Sequence, residues 1–512
     1  MSEQWSEGYF TDVAYTYGYY RELSPVFQRF CLVVNGIAPP DTEQPAYCEL
    51  GFGQGVSINI HAAAGSGKFV GNDFNPEHAA YAAGLASKAG SGALLTDDSF
   101  EQMLGRTDLP QFDYIGLHGI WSWVSKENQK FIVEFAQRKL KPGGVLYVSY
   151  NCFPGWAPYI PLRQAFALHD RHTDRSKPAA DRVNAALEFT EKMFAAKPRY
   201  IQTAAGVQDR LVKLKEQSRN YLAHEYFNRE WNTMYFTDVV DAMVPAKLNY
   251  AASCNPVDFV DAVNLTAEQV DFLKTIDNPV FREQIRDYMV NQQFRKDLYV
   301  RGARKLKRGE RTDLLLDMRF ALVVPVESVA YKVKMSMGEV QLREDIYKPV
   351  VEALATGNHQ PKTLRQIVTA LAATTISLDA IVQAVVVLAG NGWVSPCQSE
   401  AAAKAAKPAC DKLNAEIAEQ NLYSAEVAVW ASPVTGGAVT VQRFSQLFML
   451  ARWRKHTDPA LFAAEVLRAN GEMVLKDGKA LQTAEENLAH LREQYESFVA
   501  KHLPALKSLG VA

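Results

Sequence analysis

The sequence predicts an α/β fold in its first part, a mainly helical stretch after it, and a mixed C-terminal region. Three observations predict this. Between Ala46 and Asn151 short apolar runs alternate with helical ones, the pattern of a parallel sheet covered by helices. From Leu162 to about Gln293 the chain is amphipathic and helical in period, interrupted by Pro178, Pro198, Pro245 and Pro256. Thr363–Val394 reads as helix, short break, helix, and then a Gly390–Val394 turn that opens a small hairpin, an order that suits a winged helix.

At ~150 residues per domain, 512 residues allow about three domains. Hydrophobic residues at 48% and charged residues at 22% are ordinary for a globular protein and exclude disordered, collagen-like and membrane classes. Lys+Arg 55 against Asp+Glu 57 leaves a net charge of -2 and no field to gather phosphate backbones or anionic lipid, so nucleic acid is not expected as a partner. The N-terminus has no basic and apolar leader, and the apolar stretch Ala380–Gly390 is short of the ~20 residues of a membrane span. A cytoplasmic protein without membrane insertion is expected. Six cysteines without a C-x-x-C pair predict reduced, mostly buried thiols and no metal site.

Element by element, the chain opens aromatic, with Tyr15, Tyr17, Tyr19 and Tyr20 close together, followed by an apolar helix Val26–Val34 that Pro39-Pro40 closes. Strands are expected at Ala46–Leu50, Lys68–Asn72, Ala93–Thr96, Phe112–Leu117 and Val145–Ser149, with helices at Gly55–Ala63, Pro76–Ala89 and Lys126–Lys139. Eight Lys or Arg between Arg295 and Arg311 read as a solvated edge or hairpin, leading into strands Leu314–Leu316 and Phe320–Val324. Glu400–Ala409 reads as a linker or exposed helix, and an α-rich segment runs to Ala512.

The most informative stretch is Glu49-Leu50-Gly51-Phe52-Gly53-Gln54-Gly55, which follows a strand and opens a helix. Glycines there allow a sharp turn and let a ligand touch bare backbone at a helix N-terminus. The dinucleotide form G-x-G-x-x-G needs glycine where Val56 stands, so a nicotinamide or flavin enzyme is disfavoured. Asp73, with Phe74 and Asn75, sits at the tip of the second strand, where a carboxylate can accept both ribose hydroxyls. Asp97, Asp98 and Ser99 end the third strand, where an acid can accept from an adenine amino group. Each acid alone reads equally as a helix cap or turn residue. The three signals in register fit adenosine held without phosphates. A P-loop at Gly65-Ser66-Gly67-Lys68 is rejected, because Ala62 and Phe69 stand where glycine and a hydroxyl residue are required.

These residues resemble the class I S-adenosylmethionine-dependent methyltransferases, and the likeness extends to Phe112–Trp123 and Leu140–Asn151. More narrowly, His118-Gly119-Ile120-Trp121-Ser122-Trp123-Val124, Ser149–Trp156 and Tyr221-Leu222-Ala223-His224-Glu225-Tyr226 are similar to bacterial methyltransferases with a methyltransferase regulatory domain, among whose relatives are protein lysine methyltransferases acting on outer-membrane proteins. The general motifs cover residues 46 to 151, and the narrower likeness continues to about residue 450. The resemblance implies a seven-stranded Rossmann-like domain over 1–160 with an N-terminal lid, a mainly helical regulatory or substrate domain over 161–345, a winged-helix-like domain over 346–400 and an α-rich domain over 401–512. It implies S-adenosyl-L-methionine as cofactor, held by Glu49, Gly51, Gly53, Gly55, Asp73, Phe74, Asn75, Asp97, Asp98 and Ser99, with His118; the early tyrosines, Tyr17 and Tyr20 foremost, read as a lid over it or, equally, as part of a plain N-terminal packing helix.

Methyl transfer from a sulfonium is an in-line displacement, so alignment and exclusion of water supply much of the rate. An amine acceptor of pKa ~10.4 must also arrive neutral, which a dry aromatic pocket encourages. Topology sets His118, Trp121 and Trp123 after strand four, and Tyr150, Asn151, Phe153 and Trp156 after strand five, beyond the carboxyl ends of the sheet. His118, Tyr150, Asn151 and Trp121 are therefore the catalytic candidates; a histidine bonded by its surroundings and tryptophans packed between domains are the plainer readings. No Asn/Asp-Pro-Pro-Tyr follows strand four, which disfavours amide or nucleobase nitrogen, and no acidic pair follows it, which disfavours metal-assisted O-methylation. A large acceptor, a protein, is expected from the length beyond the sheet. Two alternatives are a methyltransferase for a small amine or lipid-linked metabolite, its extra domains forming a homodimer, and a cofactor-sensing DNA-binding regulator reading through Thr363–Val394, where only Arg365 is basic.

Overall fold

The computed structural model describes residues 15–174 and 176–512. Helix α1 (Pro25–Val34) leads into β1 (Ala46–Leu50), α2 (Val56–Ala64), β2 (Lys68–Asn72), α3 (Pro76–Ala89), β3 (Leu94–Thr96), α4 (Phe100–Gly105), β4 (Phe112–Leu117), α5 (Lys126–Lys139) and β5 (Leu140–Asn151). These five strands pair in parallel. Every residue of β1 and β4 is buried, as expected of strands covered by helices on both faces.

The sheet is completed by β6 (Leu248–Ser253) and β7 (Phe294–Arg301), giving seven strands in the order β3-β2-β1-β4-β5-β7-β6. β7 runs antiparallel to both β5 and β6. Strand order reverses between β1 and β4, which opens a crevice at their carboxyl ends. This is the α/β, Rossmann-like architecture with many added helices.

Two strands thus lie where the sequence reads as helical through Gln293 or as a solvated basic edge. The reason lies in pairing that periodicity does not display. Arg295 is 4% exposed, and its guanidinium meets Asp287 at 2.5 Å, Asp297 at 2.9 Å and Glu283 at 2.9 Å. A buried cation is tolerated only with such partners. Lys296 pairs with Glu22 at 2.6 Å.

Leu314–Leu316, expected as a strand, lies within the helix Arg308–Asp317, whose start is held by Glu310 accepting from the backbone N–H of Lys307 at 2.9 Å. After the Gly390 turn, Val394–Cys397 does not fold into a local hairpin. It pairs antiparallel with Arg319–Leu322, because Ser399 at once caps the helix Glu400–Gln420 and leaves no following strand. Nor is Glu400–Ala409 a linker: its helix buries Ala402, Ala406, Cys410, Leu413 and Ile417, and is tied to α3 by Tyr81 donating to Gln420 at 2.7 Å and Lys88 meeting Glu416 at 2.5 Å.

Between β5 and β6 the helices Ile160–His172, Ala179–Ala195, Val207–Lys215 and Arg219–Phe227 enclose their own core of Leu162, Phe166, Val183, Leu211, Leu222 and Tyr226. Inside it Arg182 forks onto Asp170 at 2.7 and 2.8 Å. Among the described residues no helix is long and apolar enough to cross a membrane.

Candidate active site

A cavity lies over the carboxyl ends of β1, β2 and β4, roofed by Tyr15, Thr16, Gly18 and Tyr20. Its floor is the turn after β1. Gly51 has φ +70°, and a Cβ there would stand 2.6 Å from the Ile120 side chain. Gly55, at φ +71°, caps α2, and a Cβ on it would meet Ala82 at 2.4 Å. Only glycine fits at these two positions; Gly51 and Gly53 line the cavity with bare backbone, whereas Gly55 does not line it and lets α2 pack closely on α3.

The turn is fastened by the next strand. Asp73, 6% exposed, accepts from the Gly53 N–H at 2.8 Å through one carboxylate oxygen; through the other it accepts from the Asn75 N–H at 3.1 Å and meets His78 Nδ1 at 3.1 Å. Beside it Asn72 donates to the Asp98 carbonyl at 2.8 Å, while its buried Oδ1 has no hydrogen-bond partner among the described residues. Both residues line the cavity. Glu49, buried at the end of β1, accepts from Tyr47 Oη at 3.1 Å, and burial raises its carboxyl pKa to about 8.

The third strand tip departs from expectation. Asp97 is exposed, and Asp98 Oδ2 is held by Thr96 Oγ1 at 2.8 Å and by Arg106 at 2.8 Å. Neither lines the cavity; Ser99 and Phe100 do. Asn75 also stands outside it, capping α3 by accepting from the Glu77 N–H at 3.0 Å, while Phe74 lines it.

His118 lines the cavity at the end of β4. Tyr20 stacks on its ring with centroids 3.8 Å apart, and its Nδ1 lies 2.8 Å from Tyr147 Oη. Burial lowers its pKa to about 3, so the imidazole is neutral at ordinary pH. Tyr20 and Tyr15 line the roof, whereas Tyr17 packs edge-on against Tyr81 and does not reach the cavity. The roof is tied to α2 by the Tyr20 N–H donating to Ser57 at 2.9 Å.

Three catalytic candidates lie elsewhere. Trp121 is 1% exposed and donates to Met234 Sδ at 3.1 Å; Trp123, two residues on, lines the cavity instead. Tyr150 is fully buried and donates to Asp297 at 2.6 Å. Asn151 accepts from Trp156 Nε1 at 3.0 Å. The physical reason is shared: β7 pairs along β5 to its last residue, and residues 228–234 cover the strand end, so what would be an open tip in an unflanked sheet is interior here.

Sequence reasoning also missed cavity residues. Phe100 adjoins a noted motif, but Asn128 at the start of α5 and Glu230, far along the chain, carried no local signal.

Residues 218–301 match the family described as "Predicted methyltransferase regulatory domain", a span that includes β6 and β7. The uncharacterized protein sll1526 of Synechocystis sp. is 41% identical over 511 residues, covering 99% of this chain and 100% of that protein. The uncharacterized protein RP789 of Rickettsia prowazekii is 28% identical over 291 residues, 54% of this chain and 50% of that one. The structure of PKMT2 from Rickettsia typhi in complex with AdoHcy superposes with a TM-score of 0.70 at 17% identity, over 97% of this chain and 100% of that one, a likeness of fold. With the seven-stranded sheet, the glycine turn and the regulatory segment together in one chain, the protein has the fold of the PKMT2 structure, carries a match to the methyltransferase regulatory domain and belongs to one family with sll1526.

Proposed function

We propose that the protein transfers a methyl group from S-adenosylmethionine to a lysine amine of another protein. The observation that carries this reading is the composition of the cavity wall. It holds the carboxyl groups of Glu49, Asp73 and Glu230 and the rings of Tyr20, Phe74 and Trp123, and among its described residues no Lys or Arg. Such a wall favours a positively charged sulfonium and an amine acceptor over anionic ligands.

When bound, S-adenosylmethionine supplies a methyl group on a positively charged sulfur that an attacking lone pair displaces. The residues fit its nucleoside: the glycine turn leaves room against backbone, Asp73 keeps acceptor capacity for a ribose hydroxyl, and Asn72 Oδ1 is a buried acceptor without a partner among the described residues. Tyr20, stacked on His118, excludes water from the end of the cavity nearest β4. His118, neutral, can hydrogen-bond an incoming amine without opposing it with charge. The acceptor arrives as the free amine, and no strong general base is required once it does.

The test is to incubate the full chain with methyl-labelled S-adenosylmethionine and cell extract fractionated by size, and to hydrolyse the labelled protein. Methylated lysine in the protein fractions is expected. Label confined to small metabolites would contradict the reading and favour a small-amine acceptor.

A further inference from the structure

Glu230 is the one described residue of the cavity wall that lies outside residues 15–128. It belongs to the regulatory segment, on the loop that follows the helix Arg219–Phe227. That loop is fixed against the turn between β4 and α5. The Asn232 N–H donates to the Ser122 carbonyl at 2.7 Å, and Asn232 Nδ2 donates to the Val124 carbonyl at 3.3 Å. Two residues further, Met234 receives the Trp121 indole N–H. Glu230 therefore stands beside Trp123 and Val124, with its side chain half-exposed and the Arg229 guanidinium 4.0 Å away.

Phe100 opens α4, which packs on α5, and the residues at the start of α5, Ser125 and Asn128, follow Trp123 and Val124 in the cavity wall; Glu230 thus stands on the side of the cavity that the third strand tip reaches. On the reading proposed above, a nucleoside whose ribose meets Asp73 directs its base toward Ser99 and Phe100. A base with an exocyclic amine needs an acceptor there. Neither acid of the β3 tip serves, since neither Asp97 nor Asp98 lines the cavity.

We propose that Glu230 accepts the hydrogen bond from the exocyclic amine of the cofactor's adenine, so that the regulatory domain, and not the third strand, selects the base. The inference rests on the cofactor reading. It gives the regulatory segment a direct part in cofactor binding: the sheet domain holds ribose and sulfur, and the added domain reads the purine edge. Displacing the 228–234 loop would then loosen the cofactor without altering any residue of the glycine turn.

The experiment compares two ligands on one protein. S-adenosylhomocysteine and S-inosylhomocysteine, which carries a carbonyl in place of the amine, are titrated calorimetrically into the full-length wild type, Glu230→Gln and Arg229→Ala. The wild type is expected to prefer the adenosine ligand by about tenfold or more, the size of one hydrogen bond to a charged group. Glu230→Gln is expected to shrink that ratio several-fold, because an amide N–H can serve the carbonyl; Arg229→Ala is expected to leave it unchanged. Because the readout is a ratio within each protein, a general loss of stability does not imitate it. If the wild type binds neither ligand, the cofactor reading falls and this inference with it. If it binds the adenosine ligand but Glu230→Gln keeps the wild-type ratio, the inference alone is overturned.

Discussion

Tyr20 and His118 lie face to face, their ring centroids 3.8 Å apart and their planes 21° from parallel. One comes from the segment before α1 and the other from the end of β4, so the roof of the cavity is joined to the sheet through a ring contact. An aromatic pair of this kind is worth about 0.5–1.5 kcal/mol beyond the area it buries. Tyr20→Ala is accordingly expected to lower kcat/KM by about fivefold or more, through loss of the roof, while Tyr20→Phe keeps most of the activity. Steady-state kinetics of the two variants check this. Equal losses would mean that the hydroxyl, and not the ring, is what matters.

The glycine turn gives a sharper contrast. Gly51 and Gly92 share φ +70°, but a Cβ at Gly51 meets Ile120 at 2.6 Å whereas at Gly92 nothing lies within 4 Å. Gly92→Ala should cost only the strain of the left-handed backbone, about 1 kcal/mol. Gly51→Ala should also push Ile120 and the turn, weakening cofactor binding by about tenfold or more. Calorimetry and thermal melting of both variants separate strain from collision.

Glu49 predicts a pH effect. Burial lifts its carboxyl pKa to about 8, so near neutral pH the folded protein holds a proton that the unfolded chain does not. The stability this provides is full below the ordinary carboxyl range and is lost as pH rises through about 8. Glu49→Gln is expected to flatten that decline in melting temperature between pH 5 and pH 8. A cationic ligand beside Glu49 favours the carboxylate, so binding should release a proton at pH 7, measurable by calorimetry in buffers of different ionisation enthalpy. A release that persists in Glu49→Gln would assign it to another group.

The buried Arg182–Asp170 pair holds the helical insertion together, with side chains 3% and 9% exposed. Removing one partner of such a pair costs about 3–5 kcal/mol, because the other charge is stranded. Asp170→Ala should therefore open residues 160–227 to limited proteolysis while the sheet domain resists. Uniform cleavage across the chain would show instead that the insertion and the sheet unfold as one.

The sheet core was legible because its signals are local. The runs at β1, β2 and β4 and the glycine turn carry their own periodicity and spacing, and β1, β2 and β4 have the expected bounds. What was illegible depends on distant partners. Arg295 reads as solvated until Asp287, Asp297 and Glu283 surround it, and so β7 was hidden in a basic run. Tyr150 and Asn151 read as cleft residues because the sequence does not say that β7 and residues 228–234 cover the end of β5. Asp98 looks like an open acid until Arg106, eight residues on, folds back to it. Glu230 had no local mark at all, since only the fold of the regulatory segment carries it to the cavity.

The most direct test of the account is calorimetric titration of the intact protein and of Asp73→Ala with S-adenosylhomocysteine, each first checked by melting without ligand. Binding of one nucleoside per chain by the wild type is expected, weakened about tenfold or more when the acid that fastens the turn, and that the proposed function sets against the ribose, is removed. No binding by the intact chain, or equal affinity in the two proteins, would contradict it.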